Sequence, residues 1–120
     1  CSRLLRGERP VVFGNGRQVL DYVFIDDLVD ATICAAERDT GIGVFNIGSG
    51  AAVPVVDLVA TLCTVAGAPV DIEHAPPDHT AGTHRVANIT TARRQLGWQP
   101  RTTLADGLRA TWRDAVARRA

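Results

Sequence analysis

Residues 54–66 carry the most regular apolar pattern in the chain. Apolar residues recur at the spacing i, i+3, i+4, i+7 and i+8, which places them along one face of an α-helix. They are Val55, Leu58, Val59, Leu62, Cys63 and Ala66. Pro54 suits the first turn of such a helix. The pattern predicts an amphipathic helix in which Leu58, Val59 and Leu62 are buried.

Short apolar stretches flank this helix and predict strands. They lie at residues 10–13, 19–25, 44–47 and 70–73. Further helices are predicted at residues 1–7, from Asp26 to Arg38, from Asn88 to Gly97 and from Thr103 onward, each bounded by a capping residue or a glycine. Strands and helices alternate along the chain, so the fold class is α/β, with α+β as the alternative.

Composition limits the size and the partners of the protein. The 120 residues are 46% hydrophobic, as expected for one small globular domain. Thirteen basic residues balance thirteen acidic ones. A nucleic acid or an anionic membrane as partner is therefore not expected, because both require a basic surplus. The most apolar stretch, Ala51 to Val70, is not expected to span a membrane either, because it contains Pro54 and Asp57.

Several residue types are missing or scarce. The chain contains no Met, and all thirteen basic residues are Arg, so there is no Lys. We therefore expect a fragment or a processed product, without any mechanism that needs a Lys amine. Three widely spaced cysteines without a leader pattern favour a reducing, cytoplasmic setting. Cys34 and Cys63 are predicted to fill small buried spaces, with a reactive thiol as the alternative.

Three local clusters suggest chemistry, and each has a structural interpretation that we favour. Residues 48–53 nearly match a dinucleotide fingerprint, but Val53 occupies the third glycine position, so a simple glycine turn is expected. The polar residues His74, Asp78, His79 and His84 do not match a zinc spacing, and a solvated loop is expected instead of a metal site. The acidic residues Asp26, Asp27 and Asp30 are expected to cap a helix rather than to act in catalysis.

Four blocks in order carry a family resemblance. They are residues 13–27 (FGNGRQVLDYVFIDD), 44–50 (VFNIGSG), 96–100 (LGWQP) and 104–112 (LADGLRATW). Together they resemble the C-terminal part of the extended short-chain dehydrogenase/reductases, the NAD-dependent epimerase/dehydratase family that acts on nucleotide sugars. The resemblance covers nearly the whole chain.

The resemblance implies a longer parent with an N-terminal Rossmann domain and a smaller C-terminal lobe. Residues 1–120 would be the C-terminal substrate-binding lobe, with the Rossmann core largely missing. NAD or NADP would be bound by the missing N-terminal half, which would also carry the family's Tyr-x-x-x-Lys pair. No catalytic, cofactor-binding or metal-binding residue is then expected in this chain. A homodimer formed through the Rossmann half is one expected arrangement.

The resemblance also implies which residues face the substrate. Val11, Val12 and Phe13 would line the nucleotide base, with plain core packing as the alternative. Leu20 stands where relatives that bind a sugar nucleotide place an Arg on the diphosphate. Asp78 aligns with a second such Arg.

Two arginines are candidates to replace the missing positive charge. Arg85 aligns near a position that faces the sugar in relatives, and Arg17 lies on the glycine turn. For each of them, simple solvent exposure is the alternative. Asn88 replaces the family's helix-opening Asp and is expected to cap equally well.

The leading hypothesis is the substrate-binding portion of an NAD(P)-dependent nucleotide-sugar epimerase, dehydratase or reductase, which is not catalytic on its own. Leu20 and Asp78 motivate two alternatives. One is a degenerate, non-enzymatic module of the same fold that binds a ligand or a partner. The other is an oxidoreductase lobe for a substrate that lacks a diphosphate.

Overall fold

The computed structural model describes residues 1–38, 41 and 43–119, and it has a mixed α/β architecture. The helices are α1 (Ser2–Leu5), α2 (Ile25–Glu37), α3 (Val55–Val65) and α4 (Leu104–Ala117). The strands are β1 (Val11–Phe13), β2 (Val19–Leu20), β3 (Val53–Pro54) and β4 (Glu73–Ala75). A π-helical turn spans Ala92–Leu96. The α/β class expected from the sequence is confirmed.

The strands form two small sheets. In the first, β1 pairs in parallel with β4, and Val12 lies opposite His74. In the second, β2 pairs antiparallel with β3, and Leu20 lies opposite Val53. On its other side β2 is extended by a bridge between Val19 and His84. The short strand β2 is therefore flanked on both sides by backbone.

A buried cluster, which we call the Trp98 cluster, forms the largest part of the core. It consists of Ala31, Ile89, Ala92, Leu96 and Trp98. Cys34, Ala35, Phe45, Ile47 and Ala87 pack against it while they remain partly accessible. The indole Nε1 of Trp98 donates a hydrogen bond of 3.0 Å to the carbonyl of Asp27, so the polar atom of the ring is satisfied. The cluster joins α2 to the π-helical turn and to the segment that leads into α4.

The last helix begins as its sequence predicts. The side chain of Thr103 accepts a hydrogen bond from the backbone N–H of Asp106, and its hydroxyl donates to the Asp106 carboxylate. Thr103 is therefore the N-cap of α4, and its hydroxyl is held by the carboxylate of the residue three positions later. The Asn88 side chain accepts from the N–H of Thr90 at 3.1 Å, but the N-cap of the π-helical turn is Thr91, without a side-chain cap, so Asn88 closes a local turn and its predicted role as the cap is wrong.

Three predicted strands differ from the structure. The strand expected at residues 19–25 ends at Leu20, and α2 already begins at Ile25. Residues 44–47 form no strand, and Val44 is largely exposed, because no described segment pairs with them. The strand expected at residues 70–73 is displaced to Glu73–Ala75, where it pairs with β1. Apolar runs locate strands only when a partner backbone is available to bond them.

The predicted burial of α3 was only partly right. Cys63 is fully buried, whereas Leu58, Val59 and Leu62 are half-buried. The helix packs on α4 on one side, and part of its apolar face lines a cleft that Tyr22 and Leu108 also line. Cys34 is half-buried against the Trp98 cluster. Within the described ranges, no helix is both long and apolar enough to cross a membrane.

Candidate substrate-binding site

A tight glycine turn connects β1 to β2 and fixes their relative position. Gly16 has a positive φ of 72°, and a Cβ atom there would lie 2.8 Å from Cβ of Val56. The Gly16 carbonyl accepts from the N–H of Val56 at 3.0 Å, and the Gln18 carbonyl accepts from the N–H of Val55 at 3.0 Å. The turn is thus bonded to the first turn of α3, and only glycine fits at this closest approach.

Gln18 connects the end of β1 to the loop that precedes His84. Its side chain is buried, and Nε2 donates to the Phe13 carbonyl at 3.2 Å and to the Thr80 hydroxyl at 3.4 Å. The Thr80 hydroxyl donates in turn to the Asp78 carboxylate at 2.5 Å. A continuous polar chain therefore ties the loop to the backbone of β1.

An open cleft of about 540 Å³ lies beside β2. It is lined by Leu20, Asp21, His84, Arg85, Val86 and Ala87. Two backbone hydrogen bonds hold its walls together, because the N–H of Val19 donates to the Thr83 carbonyl and the N–H of Arg85 donates to the Val19 carbonyl. This pairing brings Leu20 and Arg85 to one surface although they are far apart in sequence.

Asp21 is an acidic residue in this cleft, and its carboxylate is fully engaged. It accepts from the N–H and hydroxyl of Ser49 at 2.6 and 2.5 Å, from the N–H of Gly50 at 2.9 Å and from the N–H of Ala87 at 3.1 Å. Burial alone raises the pKa of Asp21, but these hydrogen bonds outweigh it and hold the pKa below its usual value. The negative charge of Asp21 is thus stabilised by hydrogen-bond donors of the protein itself.

The same contacts explain the glycine turn at residues 48–50. Its backbone N–H groups, which in a dinucleotide fingerprint would face a phosphate, donate to Asp21 instead. A Cβ at Gly48 would lie 2.6 Å from the Asp21 carboxylate and 2.6 Å from Cβ of Ala87. The glycine is therefore required by the close approach of these two residues.

The structure separates the two candidate arginines. Arg85 lines the cleft beside Leu20, whereas Arg17 lies exposed on the turn after β1 and does not line that cleft. Among the residues that the structure describes, no carboxylate lies within ion-pair distance of the Arg85 guanidinium. The imidazole side chain of His84 lines the cleft beside Arg85.

Asp78 is bound by its own loop. Its carboxylate accepts from the hydroxyl of Thr80 at 2.5 Å and from the N–H of Thr80 at 2.8 Å, and these bonds lower its pKa. The residue does not line the cleft beside Leu20.

The base-lining candidates lie on β1, one turn away from the cleft. Val12 is buried, Val11 is half-buried and half of the Phe13 surface is exposed. Val12 is therefore a core residue, and Phe13 offers the accessible apolar surface. The Gln18 side chain hydrogen-bonds the Phe13 carbonyl, which ties the end of this strand to the turn that leads into β2.

His74 and His84, two residues of the histidine-rich segment, make different contacts. His74 contacts the Gly14 carbonyl through Nδ1 at 2.7 Å, and His84 forms the bridge to β2. In the described part of the chain, His, Cys, Asp and Glu side chains form no group of three or more that could hold a metal ion.

Asp26 and Asp27 lie in the first turn of α2, as predicted, but neither of them caps the helix. The N-cap residue is Phe24, without a side-chain cap. Asp27 is 3% exposed, and its carboxylate accepts from the N–H groups of Arg101 and Thr102 at 3.0 Å each. Burial by itself would raise the pKa of Asp27. The hydrogen bonds from these two backbone N–H groups outweigh that effect, so the pKa lies below its usual value. Asp27 therefore binds the backbone of residues 101 and 102, which are distant in sequence, and does not cap its own helix.

Gln18 and His84 are the site residues that sequence reasoning missed. A buried polar residue between two strands, such as Gln18, must find hydrogen-bond partners, which is a signal that the sequence does contain. For His84 the sequence indicates only membership of a histidine-rich loop, because its bridge to β2 joins residues far apart in the chain.

Comparison with known proteins agrees with this architecture. The sequence profile of the NAD dependent epimerase/dehydratase family matches residues 1–48. UDP-glucose 4-epimerase of Mycolicibacterium smegmatis is 38% identical over 110 residues, which are 90% of this chain and 34% of that protein. dTDP-glucose 4,6-dehydratase of Streptomyces griseus is 34% identical over 109 residues, 90% of this chain and 33% of that protein.

Solved structures give the same result. The crystal structure of UDP-glucose 4-epimerase from Thermotoga maritima with UDP-glucose superposes with a TM-score of 0.85 at 34% identity. That match covers 95% of this chain and 38% of the epimerase. The chain therefore spans about a third of the length of the relatives that it matches.

Proposed function

Because this chain belongs to the NAD-dependent epimerase/dehydratase family, we propose that it is the C-terminal, substrate-binding part of an NAD(P)-dependent nucleotide-sugar epimerase, dehydratase or reductase. The observation that carries the proposal is the cleft beside β2, which Leu20 and Arg85 line together, so that Arg85 is placed to supply a cation beside the uncharged Leu20. At the end of β1, which Gln18 ties to the turn before β2, the exposed Phe13 offers an apolar surface for the base.

The electrostatics of the cleft favour an anionic ligand. Asp21 lies in the lining, but its carboxylate oxygens are occupied by four hydrogen bonds. Asp78 is occupied by Thr80 in the same manner. Arg85 thus faces the cleft without a described counter-ion, and a guanidinium suits the oxygens of a diphosphate.

The cofactor and the catalytic groups are assigned to the remaining two thirds of the family fold. The chain has no Lys, and the N–H groups of its one near-fingerprint donate to Asp21. In this proposal NAD or NADP supplies the hydride chemistry when bound in that other part. This chain holds the substrate in place against it, which is a contribution of position and orientation.

Nuclear magnetic resonance titration of the 120-residue chain with UDP-glucose tests the proposal. A partly desolvated charge-assisted contact is worth about 1.5 to 3 kcal/mol, so Arg85→Ala should weaken binding at least about tenfold. Arg17→Ala is the matched control, since it removes the same exposed charge outside the cleft, and it should change binding less than about twofold. Leu20→Arg, which restores a second cation, should strengthen binding.

The two alternatives give different outcomes in the same titration. If neither Arg85→Ala nor Leu20→Arg changes the affinity for UDP-glucose, the result would contradict diphosphate recognition and favour a substrate without a diphosphate. If millimolar UDP-glucose causes no chemical-shift change, the result would contradict the proposal and favour a non-enzymatic module that does not bind this ligand. Saturable micromolar binding of NAD to this chain would contradict the assignment of the cofactor to the other part.

A further inference from the structure

The carboxylate of Asp21 is the point at which three separate segments of the chain meet. Its Oδ1 accepts from the backbone N–H of Ser49 at 2.6 Å and from the Ser49 hydroxyl at 2.5 Å. Its Oδ2 accepts from the N–H of Gly50 at 2.9 Å and from the N–H of Ala87 at 3.1 Å. One side chain therefore connects the end of β2 to the glycine turn around Ser49 and to the wall of the cleft that contains Ala87.

The bond to Ala87 takes the place of a backbone hydrogen bond. The pairing of β2 with this wall is a single parallel bridge between Val19 and His84. In a regular parallel ladder, the N–H of Ala87, two residues after that of Arg85, would donate to the backbone carbonyl of Asp21. Here it donates to the Asp21 carboxylate. The side chain thus continues the hydrogen bonding beyond the point where backbone pairing ends.

Arg85 lies between the two anchors of the cleft wall. On one side its own N–H donates to the Val19 carbonyl at 3.0 Å. On the other side, two residues further along, the Ala87 N–H is bound to Asp21. If the second anchor is lost, the backbone around Arg85 is held from one side only. The guanidinium would then lose more conformational freedom when it binds an anion, and its affinity for that anion would fall.

We propose that Asp21 is a positioning residue, which holds the cleft wall so that Arg85 is placed to bind the diphosphate of a sugar nucleotide. The inference rests on the proposed function, because it requires that ligand in the cleft. The direction of the effect separates this role from a simple charge effect. Removing a negative charge beside an anionic ligand strengthens binding, whereas removing a positioning residue weakens it.

Titration of the 120-residue chain, followed by nuclear magnetic resonance, tests the proposal with UDP-glucose and with inorganic pyrophosphate as a second probe. Asp21→Asn keeps the size of the side chain, but its NH₂ group cannot accept from the N–H groups that face one of the two oxygens. It should weaken binding at least about fivefold, as expected for one lost hydrogen-bonded anchor. In an Arg85→Ala background, the same change should alter the affinity less than about twofold, because Asp21 acts through Arg85.

Asp27→Asn is the matched control for a merely structural role. Asp27 also accepts from two backbone N–H groups of a distant segment, those of Arg101 and Thr102, but it does not line the cleft. Urea melts should show that Asp27→Asn and Asp21→Asn destabilise the chain to a similar extent. Asp27→Asn should nevertheless leave the affinity for either probe within about twofold, since it is distant from the anchors of Arg85.

Gly48→Ala tests the same contact without changing a charge. A Cβ at this position would lie 2.6 Å from Oδ2 of Asp21 and 2.6 Å from Cβ of Ala87, between the two partners. The φ of Gly48 lies outside the left-handed range, so alanine does not strain the backbone there. This variant should also weaken binding at least about fivefold, and it decides the question if Asp21→Asn does not fold.

The outcomes separate this proposal from the proposed function. If Arg85→Ala weakens binding but Asp21→Asn leaves it unchanged or strengthens it, the positioning role is overturned and the proposed function stands. If the losses from Asp21→Asn and Arg85→Ala multiply in the double variant, Asp21 acts independently of Arg85 and the positioning role is overturned too. If only pyrophosphate binds, the proposed function fails, and the same comparison with pyrophosphate decides on Asp21. If neither probe binds, both proposals are overturned.

Discussion

The Trp98 cluster and the cleft beside β2 are held together in opposite ways. The cluster is a contiguous group of buried side chains, and its one polar ring atom is hydrogen-bonded. The walls of the cleft are joined mainly by backbone and carboxylate hydrogen bonds, and Arg85 remains exposed there. Backbone bonding holds a surface in shape while leaving its side chains free for a ligand. We therefore expect substitutions in the cluster to affect stability and substitutions at the cleft to affect binding.

The largest effect is expected at Trp98. Truncation to Ala removes a buried ring and the hydrogen bond to Asp27, so Trp98→Ala should lower the free energy of unfolding by about 3 to 5 kcal/mol. Urea denaturation followed by circular dichroism measures this. A loss below about 1 kcal/mol would mean that the cluster is not the stabilising core and would remove the contrast between the two regions.

Asp27 should give a smaller effect that depends on pH. Its folded pKa is lowered, so its contribution is present above the unfolded pKa of about 3.9 and is lost as the pH falls through the lower folded value. Hydrogen bonds to a charged group contribute about 1.5 to 3 kcal/mol, and Asp27→Asn should cost that amount at pH 7. In melts at pH 7 and at pH 3, the difference between variant and parent should shrink at the lower pH.

A constant difference across this pH range would show that the charge of Asp27 is not what fastens residues 101 and 102. Asp21 also has a lowered pKa and loses stabilisation in the same direction. Its contribution is common to both proteins, so it cancels when variant and parent are compared.

The smallest effect on stability is expected at Phe13. It is an aromatic residue like Trp98, but half of its surface is exposed. Phe13→Ala should therefore lower the free energy of unfolding by less than about 1 kcal/mol, since little apolar area returns to water. The same urea melts measure it beside Trp98→Ala. A cost equal to that of Trp98→Ala would mean that the Phe13 ring is part of the core, and the contrast between the two aromatic residues would be lost.

Local sequence rules were sufficient where neighbouring residues decide the conformation. The Thr103 cap of α4 involves a partner three residues away. The helix at residues 54–66 was placed within one residue of its observed bounds. Its burial was overestimated, because periodicity identifies an apolar face without determining how much of that face is covered.

The sequence by itself determined the alternation of elements, the turns that require glycine and the family. The tertiary structure alone decided that Asp27 fastens residues 101 and 102, that Asp21 occupies the amides of the Gly48 turn and that Arg85 rather than Arg17 stands beside Leu20. The physical reason is range. Caps and turns depend on atoms a few residues away, whereas these carboxylates and the guanidinium are positioned by backbone segments 28 to 75 residues apart.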